Sequence, residues 1–362
     1  VSIKLLKRHV GDWDLAQERP WQPLVSAATG RRVAIIGAGP AGLSAAYYLR
    51  SEGHAVALFD EREQPGGGLR YCVPEAQLSR AVLVAELRAV LLPGIERRPG
   101  VALGRQLWLG QLTREYDAVL LACGELAAER AERLGLPYAH HGLQVDRDTL
   151  MTPLAKVFAC GSAVSPSHHA ARSVGSGRLA ALSVGRYLRE GKQHADVHHC
   201  NVHLGKLDAA ELLVYGAGAS AEGRVSPTSE ADGYAAAEAT VEAARCLRCD
   251  CAGLGKCRLR HRSARYGADT RAYPAGRRKF AREVSHSLVV HEPGKCIHCG
   301  LCVQISDRRR EALGLTYVGR GFDVRIGVPW GEALAEGLTD AARECAAACP
   351  TGAIVLRTER RS

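Results

Sequence analysis

Arg32-Val33-Ala34-Ile35-Ile36-Gly37-Ala38-Gly39-Pro40-Ala41-Gly42-Leu43-Ser44-Ala45-Ala46-Tyr47-Tyr48-Leu49 decides the fold. Its short β-branched opening suits a strand buried in a parallel sheet. A G-x-G-x-x-G loop follows, then a helical pattern. The first glycine permits a tight turn and the second lets backbone approach a pyrophosphate. The third allows close helix–strand packing, and the helix N-terminus supplies donors and positive potential. A second strand, Ala55-Val56-Ala57-Leu58-Phe59, ends in Asp60, eighteen residues past Gly42, about where a carboxylate meets a ribose hydroxyl. Strand, loop, helix, strand and acid in that order set a dinucleotide site apart from a glycine turn in an ordinary α/β domain. Gly37, Ala38, Gly39, Pro40, Ala41, Gly42 and Asp60 are therefore candidate cofactor-binding residues.

The rest of the chain limits what this domain serves. Its 362 residues, 46% hydrophobic and 24% charged, are enough for two or three packed domains and exclude a disordered chain. No run of eighteen uncharged apolar residues occurs, so no membrane span is expected. The opening VSIKLLKRHVGDWD lacks the apolar core and cleavage site of a signal peptide, so a cytoplasmic location is expected. A formal charge of +10 would suit nucleic acid, but aromatics make only 5%, thin for a base-stacking surface, and no nucleic-acid partner is expected.

Thirteen cysteines carry the second signal. Cys72, Cys123, Cys160 and Cys200 are scattered, whereas nine crowd between Cys246 and Cys349. An odd count without a secretory signal argues against a disulfide scaffold. Cys246, Cys249, Cys251 and Cys257 form C-x2-C-x-C-x5-C, able to surround an iron–sulfur cluster or, as the alternative, zinc. Cys296, Cys299 and Cys302 form C-x2-C-x2-C, and a remote Cys349-Pro350 supplies a fourth sulfur, the ligand logic of a bacterial ferredoxin cluster. Cys345 is the competing fourth ligand; the proline favours Cys349. The arginines between the groups, from Arg258 to Arg282, read as a solvated face, as compensation for anionic clusters, or as a dock for an acidic partner. His194, His198, His199 and His203 lack a frame that would fix a metal site. His168 and His169 lie near the cofactor motifs with no assigned role.

With the loop, Gln64-Pro65-Gly66-Gly67-Gly68-Leu69-Arg70-Tyr71-Cys72-Val73-Pro74 resembles the FAD domain of the glutamate synthase small-subunit family of flavoproteins. Tyr116–Gly124 resembles the strand that closes the family's first FAD half. Gly142–Asp146 and Val157–Ser162 resemble its C-terminal FAD motif, and Gly177–Ala181 its last helix. The resemblance spans about residues 4–190 and adds Gly67, Leu69, Arg70, Ala122, Gly161 and Ser162 to the FAD-binding candidates. In the family a second Rossmann unit for NADPH is inserted between the FAD halves. Here about thirty residues separate Gly124 from Val157, too few for one, so no NAD(P)H site of the chain's own is expected. Ser162 stands where the family commonly has an aspartate, at the cost of a hydrogen bond near the ribityl–phosphate region. The family's upstream cysteine segment, normally just before a stretch like Ile3–Arg8, is expected to be supplied by a partner or lost.

The C-terminal segment resembles the ferredoxin-like cluster domains of NADH-dehydrogenase-type and formate-dehydrogenase-type iron–sulfur subunits. In that two-cluster pattern Ser306, Thr339 and Ala342 would be cysteines, so the second cluster is absent. Gly319–Arg325 is expected to pack over the remaining one.

The expected fold is α/β: a Rossmann-like FAD domain lacking its NAD(P) subdomain, then a small α+β, irregular ferredoxin-like region. The expected boundaries are a leader at 1–30, the FAD domain at 31–190, a linker at 191–234, the first four-cysteine iron–sulfur segment at 235–282 and a 4Fe–4S domain at 283–362. FAD and two 4Fe–4S clusters imply an electron-relay subunit of a multisubunit oxidoreductase of hydrogenase-, formate- or aldehyde-oxidising type, partnered by iron–sulfur, flavin or metal-centre subunits. The competing readings are a freestanding FAD/iron–sulfur oxidoreductase acting on a small substrate, and a zinc-stabilised scaffold with a flavin-free fold.

Overall fold

The computed structural model describes residues 1–18, 21–167, 169–191, 209–216, 218–247, 253, 257–266, 268 and 281–357. It divides into two compact units, Val10–Asp196 and a second made of Val1–His9 with Val197–Ser362. Helix α1 (Ile3–Leu15) occupies the segment expected to be a polar leader.

The Val10–Asp196 unit is built on strands β1 (Arg32–Ile36), β2 (Ala55–Phe59), β3 (Ile95–Arg98) and β4 (Ala118–Leu121), with a small hairpin β5 (Tyr138–Ala139) and β6 (Gly142–Leu143), then β7 (Val157–Ala159). Five of them form one parallel sheet in the order β3-β2-β1-β4-β7. The chain runs outward from β1 to β3, then returns to the other side of β1. That reversal creates a switch point at the carboxyl ends of β1 and β4, where open α/β sheets bind ligands.

Helices cover both sheet faces: α2 (Pro40–Ser51), α3 (Gly68–Tyr71), α4 (Arg80–Val90), α5 (Leu109–Glu115), α6 (Ala128–Arg133) and α7 (Ala170–Glu190). Strand β1 explains why both must. Val33 and Ile35 enter one core with Leu43, Leu49 and Val184, while Ala34 and Ile36 enter the other with Leu112 and Leu136. A strand apolar on both sides is stable only between two helical layers. Gly177 lets α7 close on α2, since a Cβ there would stand 2.1 Å from the Ala41 carbonyl oxygen. Between β4 and β7 lie only α6 and the β5–β6 hairpin, with no second α/β unit.

In the other unit the described helices α8 (Ala209–Gly216), α9 (Ala236–Ala244) and α10 (Arg258–Arg265) precede the C-terminal part. Helix α8 falls inside the expected linker. Buried Glu242 organises this stretch: it accepts from the backbone N–H of Ser2 (2.7 Å) and of Val225 (2.9 Å), and pairs with Arg245 through both oxygens. The C-terminal part pairs β8 (Val289–His291) with β11 (Ile354–Leu356) and β9 (Thr316–Val318) with β10 (Arg325–Gly327), both antiparallel. Helices α11 (Leu301–Arg308), α12 (Leu334–Gly337) and α13 (Ala342–Ala348) complete a core of Val289, Ile305, Ile326, Leu334, Leu338 and Cys345. No helix among the described residues is long and apolar enough to cross a membrane.

Candidate functional site

At the switch point the loop between β1 and α2 is held against its neighbours on every side. Gly37 adopts φ +110°, and a Cβ there would stand 2.2 Å from the Ala122 carbonyl oxygen. A Cβ on Gly42 would meet the Gly37 oxygen at 1.8 Å, so the turn closes only with hydrogen at that position. The Gly66 N–H donates to the Ala38 carbonyl at 2.8 Å, which brings Gly67 backbone against Gly39. Gly161, at the end of β7, faces Ala41. Gly37, Ala38, Gly39, Ala41, Gly42, Gly67, Ala122 and Gly161 thus converge. Pro40 opens α2, a position where its missing N–H costs nothing, and no side chain caps that helix. The uncapped N-terminal amides remain available to an anion.

Asp60 sits beside this loop. One carboxylate oxygen accepts from the Ala38 N–H at 2.5 Å and the other from the Arg62 N–H at 2.7 Å. Each oxygen has a further lone pair for a ribose hydroxyl. Leu69 packs against the core of this unit and Arg70 donates to the Pro65 carbonyl. The Ser162 hydroxyl donates to the Ser167 carbonyl at 3.2 Å, and the Gly161 N–H is taken by Ser176 on α7. Ser176 escaped sequence reasoning because a lone serine in a helical pattern carries no signal. The residues present fit the ADP half of a dinucleotide: a small-residue cradle, free amides and a carboxylate at the ribose position. Cys123 and Cys160 close the strands β4 and β7, and burial pushes both thiols up to about 12. They stay protonated at neutral pH and are not nucleophiles.

The second candidate site lies in the C-terminal part. Cys296, Cys299 and Cys302 from one loop and Cys349 from the end of α13 line a single pocket of about 370 Å³, counting its open mouth. The loop turns through His298 (φ 56°) and Gly300 (φ 75°). The His298 N–H donates to Cys296 Sγ at 3.4 Å and the Ile354 N–H to Cys349 Sγ at 3.5 Å. Ile297, Leu301, Ile326 and Ile354 make the walls apolar. Ile326 comes from β10, which follows the Gly319–Arg325 turn. Burial and the neighbouring sulfurs of Cys296, Cys349 and Cys299 push the Cys302 thiol up to about 11. Four sulfurs gathered in an apolar pocket fit a cationic metal centre, which removes the charge they would share as thiolates. Among the described residues no group of three or more His, Cys, Asp and Glu side chains is set to hold a single metal ion. His291 also lines the pocket, and burial lowers its pKa. Nothing in the local sequence marks it, because its burial comes from the β8–β11 pairing.

Cys345 takes no part in that lining. Fully buried in the core, it donates to the Cys302 carbonyl at 3.6 Å. Of the first cysteine group, Cys246 is exposed and Cys257 half-buried, and Cys257 Sγ accepts from the Arg260 N–H at 3.3 Å. Cys249 and Cys251 lie outside the described residues, as do Cys200, His168, His194, His198, His199 and His203.

Residues 35–80 match the NAD(P)-binding Rossmann-like domain family. The NADP(+)-dependent formate dehydrogenase subunit beta of Moorella thermoacetica is 35% identical over 151 residues, 36% of this chain and 21% of that protein. The glutamate synthase [NADPH] small chain of Mycobacterium tuberculosis is 40% identical over 133 residues, 35% of this chain and 26% of that protein. The chain thus spans about a quarter or less of these two relatives' length. A solved NAD+-reducing NiFe hydrogenase, 26% identical, overlaps 30% of this chain and 46% of its own, with a TM-score of 0.28. So small an overlap adds nothing to the sequence matches.

Proposed function

We propose, from the premise that the Rossmann-like domain of this chain is that of the FAD/NAD(P) oxidoreductases, that the chain is an electron-transfer flavin/iron–sulfur subunit of a multisubunit oxidoreductase. FAD would be held by Gly37–Gly42, Asp60, Gly67, Leu69, Arg70, Ala122, Gly161 and Ser162. One 4Fe–4S cluster would be held by Cys296, Cys299, Cys302 and Cys349, and another by Cys246, Cys249, Cys251 and Cys257. The observation that carries the reading is the pocket shared by Cys296, Cys299, Cys302 and the distant Cys349, in one chain with a phosphate-binding loop.

Bound FAD exchanges two electrons and releases them singly, while clusters pass one at a time. The chain's residues do the rest. The glycine loop and the amides of α2 bind pyrophosphate, and Asp60 orients the ribose. Ile297, Leu301, Ile326 and Ile354 would give the sulfurs an apolar wall, with Cys299 left exposed. The N–H donors of His298 and Ile354 stabilise negative charge there and so set the potential. Partner subunits, as in the formate dehydrogenase and glutamate synthase relatives named above, would supply and remove the electrons.

The test is an anaerobic absorbance spectrum with iron, sulfide, zinc and flavin measured on the same sample. About eight irons and one FAD per chain, bleached by dithionite, support the relay. Zinc without sulfide or flavin overturns it in favour of a scaffold. Full cofactors with turnover of a small substrate by the isolated chain would replace the relay with a freestanding enzyme.

A further inference from the structure

The mouth of the four-cysteine pocket is apolar and open. Ile297 and Leu301, which line it, are 50% and 40% exposed, and Cys299 between them is exposed as well. Tyr317, 49% exposed, leans on the same loop. Its hydroxyl donates to the His298 carbonyl at 3.1 Å, and its ring meets the His298 imidazole edge-on. Single apolar residues scattered over a surface are ordinary, but three gathered on one loop around an opening mark an interaction site.

Basic charge stands beside that mouth. The Arg258 N–H donates at 2.8 Å to the carbonyl of Pro350, itself a lining residue, so α10 starts at the rim. Arg258 and Arg262 lie one turn apart on one face of α10. The exposed Tyr266 continues that stripe, its N–H on the Arg262 carbonyl at 2.9 Å. Both arginines are exposed, and among the described residues neither pairs with a carboxylate. Between Asp250 and Asp269 the sequence holds Lys256, Arg258, Arg260, Arg262 and Arg265 and no acid. Elsewhere in this unit arginines are neutralised internally, as Arg308 and Arg309 are by Glu344.

We propose that the pocket mouth and the α10 face together dock an acidic partner protein. The partner lays apolar side chains on Ile297, Leu301 and Tyr317 and carboxylates on Arg258 and Arg262. An apolar centre with a charged rim is how protein interfaces are built, and tyrosine and arginine are the residues enriched in them. Nucleic acid fits less well, because the centre offers aliphatic side chains rather than a row of stacking rings. The partner's role as a subunit rests on the proposed function; the contact itself rests on exposure and charge alone.

The test uses the full chain, purified anaerobically, with iron and sulfide measured first. The probes are a glutamate–tyrosine copolymer, polyglutamate of the same length, single-stranded oligothymidylate and phosphatidylglycerol vesicles. The copolymer should bind more tightly than polyglutamate, and salt should weaken it. Arg258→Glu with Arg262→Glu should weaken copolymer binding about tenfold. Arg105→Glu with Arg147→Glu, exposed arginines of the other unit, should leave it unchanged. Ile297→Ser should remove the copolymer's advantage over polyglutamate. Equal weakening by both arginine pairs would reduce the effect to overall charge and overturn the proposal. So would absence of binding, tighter binding of the oligonucleotide or the vesicles, or a copolymer advantage that survives Ile297→Ser. Copolymer binding by a chain that holds no iron or sulfide would uphold the contact and overturn the cluster reading.

Discussion

Replacing Cys345 and Cys349 by alanine, one at a time, separates a packing thiol from a ligand. They lie four residues apart, and by spacing either completes the Cys296–Cys302 loop. Their surroundings differ. Cys345 is fully buried beside Ile305, Leu338 and Ala342, and burial, with the charge of nearby sulfurs and carboxylates, pushes its thiol up to about 12. Cys345→Ala removes one sulfur's worth of apolar contact and strands no charge, a loss of about 1 kcal/mol. That lowers the melting temperature of this unit by about 2–4 °C and leaves iron and sulfide unchanged. Cys349 lines the pocket and accepts the Ile354 N–H. Cys349→Ala removes a proposed ligand, and structural metal binding contributes on the order of 10 kcal/mol to folding. Iron should fall from about eight to about four per chain, and the C-terminal part should lose its cooperative transition while the Rossmann-like unit keeps its own. Colorimetric iron and sulfide assays with anaerobic calorimetry read both effects. If Cys345→Ala strips the iron and Cys349→Ala does not, the assignment from pocket lining is refuted.

Gly42→Ala drives a methyl against the Gly37 carbonyl. It should cost about 3 kcal/mol and abolish flavin retention, whereas Gly68→Ala, with open space at its Cβ, should leave the denaturation midpoint unchanged. Burial lowers the pKa of His54, which is 1% exposed, and Thr29 holds its Nδ1 at 2.7 Å. Unfolded chain therefore binds its proton first, and stability that is complete above about pH 7 is lost as pH falls through about 6.5. His54→Gln should remove that share of the slope in urea titrations between pH 7 and 5.5. Glu242 behaves in the opposite window: hydrogen bonds from the Val225 N–H, from Arg245 and from the Ser2 N–H hold its pKa at about 2. Its stabilisation is complete above about pH 4.5 and disappears toward pH 2; a Glu242→Gln chain that shows the same acid midpoint would contradict this.

The glycine loop and its strand–helix frame were legible because every element is local and ordered: β1, Gly37–Gly42, α2, β2 and Asp60 follow one another within thirty residues. The α/β class followed from the same stretch, since Val33 and Ile35 need one apolar layer and Ala34 and Ile36 another. Helix α1 was less legible, because Ile3, Val10 and Trp13 stay more than half exposed and give no clean buried face. Glu242 was illegible altogether: a glutamate in an alanine-rich helix reads as surface, and its partners at Ser2 and Val225 come from distant chain. Gly253 and Gly352 belong to the same class: a Cβ on Gly253 would stand 2.8 Å from Gly352 Cα, an approach that depends entirely on the tertiary fold.

The packing around Ser306, Thr339 and Ala342, which the two-cluster resemblance would make cysteine positions, bears on the proposed function. A ferredoxin-type domain that loses a cluster must replace both its bonding and its volume, or the domain collapses. Around Thr339 and Ala342 stands ordinary core: Leu334, Leu338, Ala341 and Ala342 pack with Cys345, and Glu311 secures the entry to α13 through the Thr339 and Ala341 N–H groups. Such a core supports its half of the domain without metal, so loss of the remaining cluster should damage the Cys296–Cys302 loop and the Cys349 turn more than α12 and α13. With only α6 and a short hairpin between β4 and β7, the Rossmann-like domain has no second α/β unit there. In the proposed relay, electrons enter and leave through partner subunits.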